Sequence, residues 1–309
     1  EAVTVPGFVE KLFAAIDEKK SYVVVGLDTR FEELPQVLLD EVSHRYSDRW
    51  EALEEALKLF NFRVIEAVMD QVVAVKLQLA FYEQYGWRGI RALQETARFA
   101  RARGLLVIAD AKRNDIGSSA EAYAKAYLGE PAFWEDGGAD IYSSDAMTVN
   151  PYFGWDGIAP FLEQANKHGK GVFILVRTSN PSAAEIQDVA VLPPPDTAPQ
   201  EAVSDREGAV DPSAIGGRRE AEPFPFWEYV ARRVGIWQRE LESPLYEGYG
   251  PLGVVVGATN PQAIAKVRQL LPESVLLLPG YGAHGATASD VVNAFDSRGL
   301  GALVNSPVA

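Results

Sequence analysis

The stretch Val107-Ile108-Ala109-Asp110-Ala111-Lys112-Arg113-Asn114-Asp115-Ile116-Gly117-Ser118-Ser119 is an apolar strand that ends in two carboxylates and a lysine. In an extended strand residues i and i+2 share a face, so Asp110 and Lys112 are expected to point the same way, with Ala111 opposite and Asp115 beyond the strand end. Leu105, Leu106, Val107 and Ile108 form a continuous apolar run in front of the charges, the pattern of a strand buried on both faces. Such a strand is seldom followed by a merely solvated charge run. Structural ion pairing is the plain alternative, but the C-terminal ends of buried parallel strands are where α/β folds gather catalytic groups.

Seven further apolar runs accompany this one: Tyr22–Leu27, Val72–Leu77, Asp140–Ser143, Gly171–Val176, Leu252–Val256, Val275–Leu278 and Ala302–Asn305, with the quoted strand counted as Leu105–Ala109. Between them lie segments with apolar residues every three or four positions, such as Leu53 to Met69, Ile90 to Ala102, Ile158 to Ala165, Phe226 to Trp237 and Ala263 to Leu271. Strand and helix in alternation predict parallel strands joined by crossover helices. Eight such strands predict a closed (β/α)₈ TIM barrel of the α/β class, a single catalytic domain over residues 1–309. Two departures stand out. Leu192 to Pro225, with its three consecutive prolines and many acidic residues, reads as a mobile insertion after the fifth strand, with an active-site lid as the alternative. The chain also stops just after the eighth strand with no eighth helix and lacks an initiator methionine, so truncation is expected.

Composition narrows the function. A formal net charge of −14 argues against a nucleic-acid partner, which needs a basic stripe. The absence of cysteine removes disulfides, thiol catalysis and zinc-cysteine sites. His44, His168 and His284 are too scattered for a recognisable metal motif, so no metal is expected. Phe8, Val9, Leu12, Phe13 and Ile16 make the opening stretch an amphipathic helix rather than a signal-peptide core, and no apolar run is long enough to cross a bilayer. No membrane association and a cytoplasmic location are the expectations.

Polar residues recur at the predicted strand ends: Asp28; Lys76 and Gln78; Asp110 and Lys112; Asp145 and Asn150; Arg177, Thr178, Ser179 and Asn180; and the run Gly280 to Gly285. A barrel gathers such ends around one mouth, so their shared location says more than any member alone. Asp110-Ala111-Lys112-Arg113-Asn114-Asp115-Ile116-Gly117 closely resembles the signature of orotidine 5′-monophosphate decarboxylase in its longer bacterial form. Gly26-Leu27-Asp28, Val75-Lys76-Leu77-Gln78, Thr148-Val149-Asn150-Pro151-Tyr152, Arg177-Thr178-Ser179-Asn180-Pro181 and Pro279-Gly280-Tyr281-Gly282-Ala283 extend the resemblance in order, from about Pro6 to Ser306.

The resemblance implies a cofactor-free, homodimeric enzyme that converts orotidine 5′-monophosphate (OMP) to uridine 5′-monophosphate (UMP) and carbon dioxide. Lys112 matches the proton donor, and Lys76, Asp110 and Asp115 match the rest of an alternating charged tetrad, Asp115 reaching into the neighbouring subunit's site. Alternating signs keep every member ionised. Asp28 resembles the ribose ligand, Ser119 a partner-subunit contact to the ribose, and Ser179 the serine that bonds the pyrimidine. Asn150 belongs to the same mouth, and Pro279, Gly280, Gly282 and His284 lie in the phosphate-gripping loop, whose glycines let backbone N–H groups approach an anion. A turn or cap role is the alternative for each serine and for Asp28.

The family usually has glutamine where His284 stands, so phosphate affinity is expected to fall as pH rises through the histidine range. It also has a phosphate-clamping arginine after the eighth strand, and only Pro307-Val308-Ala309 follows Asn305-Ser306 here. Two rival readings remain open: a related Mg²⁺-dependent barrel acting on sugar phosphates, and a nucleotide-binding barrel without turnover.

Overall fold

The computed structural model describes residues 6–133, 138–192, 222–240, 243–282 and 285–308. In chain order the elements are α1 (Phe8–Lys19), β1 (Val23–Leu27), α2 (Gln36–Arg45), α3 (Arg49–Val68), β2 (Ala74–Gln78), α4 (Ala80–Glu83), α5 (Gly86–Arg101), β3 (Leu106–Arg113) and α6 (Gly117–Leu128). They continue with β4 (Ala146–Val149), α7 (Trp155–His168), β5 (Gly171–Arg177), α8 (Ala184–Gln187), β6 (Ala190–Val191), β7 (Phe224–Pro225), α9 (Phe226–Glu240), β8 (Leu252–Val256), α10 (Pro261–Leu270), β9 (Leu276–Pro279), α11 (Ala288–Val291) and β10 (Ala302–Pro307). Strands β1, β2, β3, β4, β5, β8, β9 and β10 close into a barrel, every pairing parallel, with β10 returning to β1. This is the expected (β/α)₈ TIM barrel.

The period of two along each strand divides the core. Val25, Leu27, Val75, Leu77, Val107, Ala109, Ile174 and Val254 face outward into a cluster with the helices. Helix α9 shows how sequence spacing meets that layer: Trp227, Val230, Ala231, Val234 and Trp237 are its buried face, at helical intervals. Val24, Ala74, Leu106, Ile108, Phe173, Val255 and Leu303 fill the barrel interior. Helix α1 plugs the N-terminal end with Phe8, Val9, Leu12, Phe13 and Ile16, and the Phe8 ring meets Phe173 edge-on at 5.8 Å. Among the described residues no helix is long and apolar enough to cross a membrane.

One expectation needs correction. The fourth strand is Ala146–Val149, not Asp140–Ser143. The earlier segment bends instead: Asp140 Oδ1 accepts from Ser143 N (2.8 Å), and Ser143 sits at φ 51, outside any strand conformation. Asp145 therefore precedes the strand rather than ending it, at the bottom of the barrel, where its carboxylate accepts from Val107 N (3.0 Å). The insertion expected at about 192–225 falls largely outside the described residues. At its edges β6 and β7 pair antiparallel, Ala190 with Pro225 and Val191 with Phe224, and α9 begins directly afterwards. The ends of the inserted stretch are thus tied together beside α9.

Candidate active site

Inward positions change character along each strand. On β3, Leu106 and Ile108 are followed on the same face by Asp110; on β2, Ala74 is followed by Lys76; on β4, Ala146 is followed by Thr148. Parallel neighbours in register place these polar positions side by side at the C-terminal mouth, Gln78 opposite Asp110. Lys76 Nζ lies 3.0 Å from Asp110 Oδ2 and 3.2 Å from Asp28 Oδ1. Lys112 Nζ lies 2.6 Å from Asp110 Oδ1. Gln78 Nε2 donates to Asp110 Oδ2 (2.9 Å), and Thr148 Oγ1 donates to Asp110 Oδ1 (2.8 Å).

Asp110 and Lys76 are buried, whereas 44% of the Lys112 side chain is exposed at the mouth. Burial alone would drive the Asp110 carboxyl up, but Lys76 and Lys112 outweigh it and hold Asp110 well below the usual carboxylate range. Burial likewise works against the Lys76 ammonium, and the Asp110 and Asp28 carboxylates more than reverse that, raising Lys76 above the ordinary lysine value. The buried Lys76–Asp110 pair holds the accessible Lys112 ammonium in a fixed row of charges, able to stabilise developing charge without reorganising.

Lys112 and Asp110 do meet, but not through simple strand alternation. Lys112 has φ 47, in the left-handed region, and the β3–β4 register shifts between Ala109 and Arg113. Thr148 Oγ1 accepts the Lys112 N–H (3.0 Å) where a ladder carbonyl would otherwise serve. A left-handed non-glycine residue costs about 1–3 kcal/mol and persists where its surroundings over-determine it. Here those surroundings are the Thr148 hydroxyl and the ion pair to Asp110. Sequence reasoning misses Thr148; the signal that finds it is its inward parity on β4, legible only once that strand runs over Ala146–Val149.

Asp115 does not join the cluster in this chain. It lies past the end of β3, where its Oδ1 accepts from Ile116 N (2.8 Å). Ser119 is exposed in the first turn of α6. Ser179 follows β5 and packs its backbone and Cβ against Gly257, where an added Cβ would lie 2.9 Å from Ser179 Cβ. That turn is clamped: Arg177 pairs in two-pronged fashion with Asp188 (2.9 and 3.0 Å), and Thr178 N donates to Gln187 Oε1 (2.8 Å). Arg177 is therefore engaged in holding the turn. Asn150 Oδ1 accepts from Tyr152 N (3.0 Å), a turn role at the end of β4.

After β9, Pro279 leads into a loop where Gly280 and Gly282 take φ 94 and φ 71, conformations that favour glycine. The loop closes on itself through Gly282 N to Ala286 O (3.1 Å). His284 lies outside the described residues. A separate cavity of about 980 Å³, lined by Trp155, Thr178, Tyr229 and Trp237 among others, sits against α7 and α9 and contains none of the charged cluster. Among the described residues, no group of three or more His, Cys, Asp or Glu side chains converges in a way that could hold a metal ion.

Residues 21–299 match the model of the orotidine 5′-phosphate decarboxylase / HUMPS family. An orotidine 5′-phosphate decarboxylase of Caldicellulosiruptor saccharolyticus is 37% identical over 300 residues, 97% of this chain and 87% of that protein. One from Rhodopirellula baltica is 39% identical over 300 residues, 97% and 86% of the two chains. The solved structure of Leishmania donovani OMP decarboxylase superposes with a TM-score of 0.66 at 27% identity, covering 97% of this chain and 89% of that one.

Proposed function

The chain belongs to the orotidine 5′-phosphate decarboxylase / HUMPS family, and on that premise we propose that it is a carbon–carbon lyase decarboxylating OMP to UMP and carbon dioxide in cytoplasmic pyrimidine nucleotide synthesis. The observation that carries the reading is the Lys76–Asp110–Lys112 row, with its one accessible ammonium at the barrel mouth.

In the proposed reaction the bond from C6 of the pyrimidine to its carboxylate breaks, carbon dioxide leaves, and the electron pair stays on C6. Lys112 Nζ stabilises that carbanion and gives it a proton, becoming a neutral amine that water re-protonates. No metal is required for these steps. Asp110 keeps Lys112 charged and oriented, and Lys76 keeps Asp110 ionised although it is buried.

The family resemblance supplies the binding roles. Asp28 presents its remaining carboxylate oxygen to the ribose hydroxyls, Ser179 bonds the pyrimidine, Asn150 shapes the turn after β4, and Pro279, Gly280, Gly282 and His284 grip the phosphate. Binding energy from the remote phosphate is available to drive closure around the reacting carbon. Asp115 and Ser119 serve the site of a second copy. Supporting this, Asp115 is unused by its own chain's charged row, and Ile116, Tyr152 and Phe153 nearby are large, exposed and apolar.

The test is OMP decarboxylation followed by ultraviolet absorbance in the presence of EDTA, comparing the parent with Lys112→Ala. Turnover that survives EDTA and collapses in the variant is the expected result. Loss of turnover on chelation would favour a magnesium-dependent sugar-phosphate enzyme. Tight UMP binding without turnover would favour a binding protein.

A further inference from the structure

Four buried polar side chains with no part in that chemistry stand directly behind Asp28. Thr29 Oγ1 donates to Asn61 Oδ1 (2.6 Å), and Asn61 Nδ2 donates to Tyr82 Oη (3.0 Å) and Thr96 Oγ1 (3.0 Å). Tyr82 Oη donates in turn to the Leu27 carbonyl (3.1 Å), and Thr96 Oγ1 to the Ala92 carbonyl (2.8 Å). Asn61, Tyr82 and Thr96 are 0% exposed and Thr29 4%. Burial pushes the Tyr82 phenol up to about 12, so it stays a donor at any working pH.

The network's internal bonds are satisfied, yet an apolar set of the same volume could pack as stably, because folding exchanges water hydrogen bonds for protein ones at small net gain. What apolar groups could not do is hold particular atoms in place. The anchors of this network are Leu27 and Thr29, the residues on either side of Asp28. Asn61 on α3, Tyr82 on α4 and Thr96 on α5 thereby tie the backbone flanking Asp28 to three elements outside the barrel. The carboxylate so placed is 3.2 Å from Lys76, itself 3.0 Å from Asp110.

We propose that Asn61, with Thr29 and Tyr82, forms a set of positioning residues that fix the Asp28 carboxylate against Lys76 and towards the hydroxyls of the bound nucleotide's ribose. The proposal rests on the functional reading above and adds to it a layer of residues that touch neither substrate nor charged row.

The test is a double-mutant cycle on the full chain. Thr29→Val removes one hydroxyl with little change of shape, Tyr82→Phe removes the other anchor, and Thr29→Ser restores the hydroxyl. Each is made in the parent and in Asp28→Asn, reading KM and kcat for OMP and UMP affinity by calorimetry. Thr29→Val and Tyr82→Phe are each expected to raise KM and weaken UMP binding about fivefold in the parent, and by less than about twofold in Asp28→Asn, with Thr29→Ser close to the parent. Equal effects in both backgrounds, or a fall in thermal midpoint with KM and UMP affinity unchanged, would overturn the proposal while leaving the function intact. A parent that binds UMP without turnover still allows the cycle to be read on affinity. A parent that neither turns over OMP nor binds UMP removes the functional reading, and the positioning role with it.

Discussion

The two ends of the barrel interior are built on the same strands and the same side-chain parity, yet they are held together by different physics. At the N-terminal end Val24, Ala74, Leu106, Ile108, Phe173 and Leu303 close over α1 by non-directional burial. A few residues further along, the same inward positions carry Lys76, Asp110 and Thr148, joined by charge-assisted hydrogen bonds to named atoms. The lower layer tolerates substitutions that conserve volume, while the upper one depends on which atom faces which. Stability and chemistry are thus separated along the strand axis.

Substitutions at the two ends test that separation. Lys112→Ala should lower kcat by roughly 10²–10⁴ with little change in thermal midpoint, since a positioned proton donor is worth that much and this side chain is exposed at the mouth. A large loss of midpoint would break the contrast. Phe173→Ala, in the lower layer, should do the reverse, costing about 3–5 kcal/mol in urea unfolding while kcat per folded molecule stays near the parent's. Thr148→Val should lower kcat/KM about tenfold, because it removes the hydroxyl that bonds both Asp110 and the strained Lys112 N–H. A Thr148→Ser variant near the parent would sharpen the assignment to the hydroxyl.

The smallest expected effect is a flat one. Asp110 is depressed in the folded state, so its pairing stabilises the fold above the ordinary carboxylate range and is lost as pH falls through the folded value. Lys76 is raised, so its contribution is complete below the ordinary lysine range and is lost only as pH rises through its folded value. The stability difference between the parent and Asp110→Asn should therefore be level from about pH 5 to 9 and shrink only in stronger acid or base. A slope near neutrality would mean that another titrating group controls the row.

Much of this was readable in the chain. The quoted strand announced both a buried parallel sheet and a charged mouth, because an apolar run and its abrupt end are local facts. The fourth strand was misplaced because Asp140–Ser143 and Ala146–Val149 are equally short and partly apolar; the hydrogen bonds to β3 and β5 decide between them. That slip hid Thr148. Lys76, Asp110 and Lys112 stand together in one row, and Asp28 lies closer to it than a ribose ligand alone would suggest, touching Lys76 directly.

The sequence by itself determined the alternation of strand and helix and which residues could carry charge at a strand end, since these depend on period and residue type along a short stretch, and its ordered motifs carried the family resemblance. Only the tertiary structure decided that Lys76 meets Asp28 across 48 residues and Asp110 across 34, and that Thr148 holds Lys112 in a left-handed conformation from 36 residues away. Barrel closure puts neighbouring parallel strands in register, and it is that register, absent from any local pattern, that turns scattered polar strand ends into one row of opposed charges.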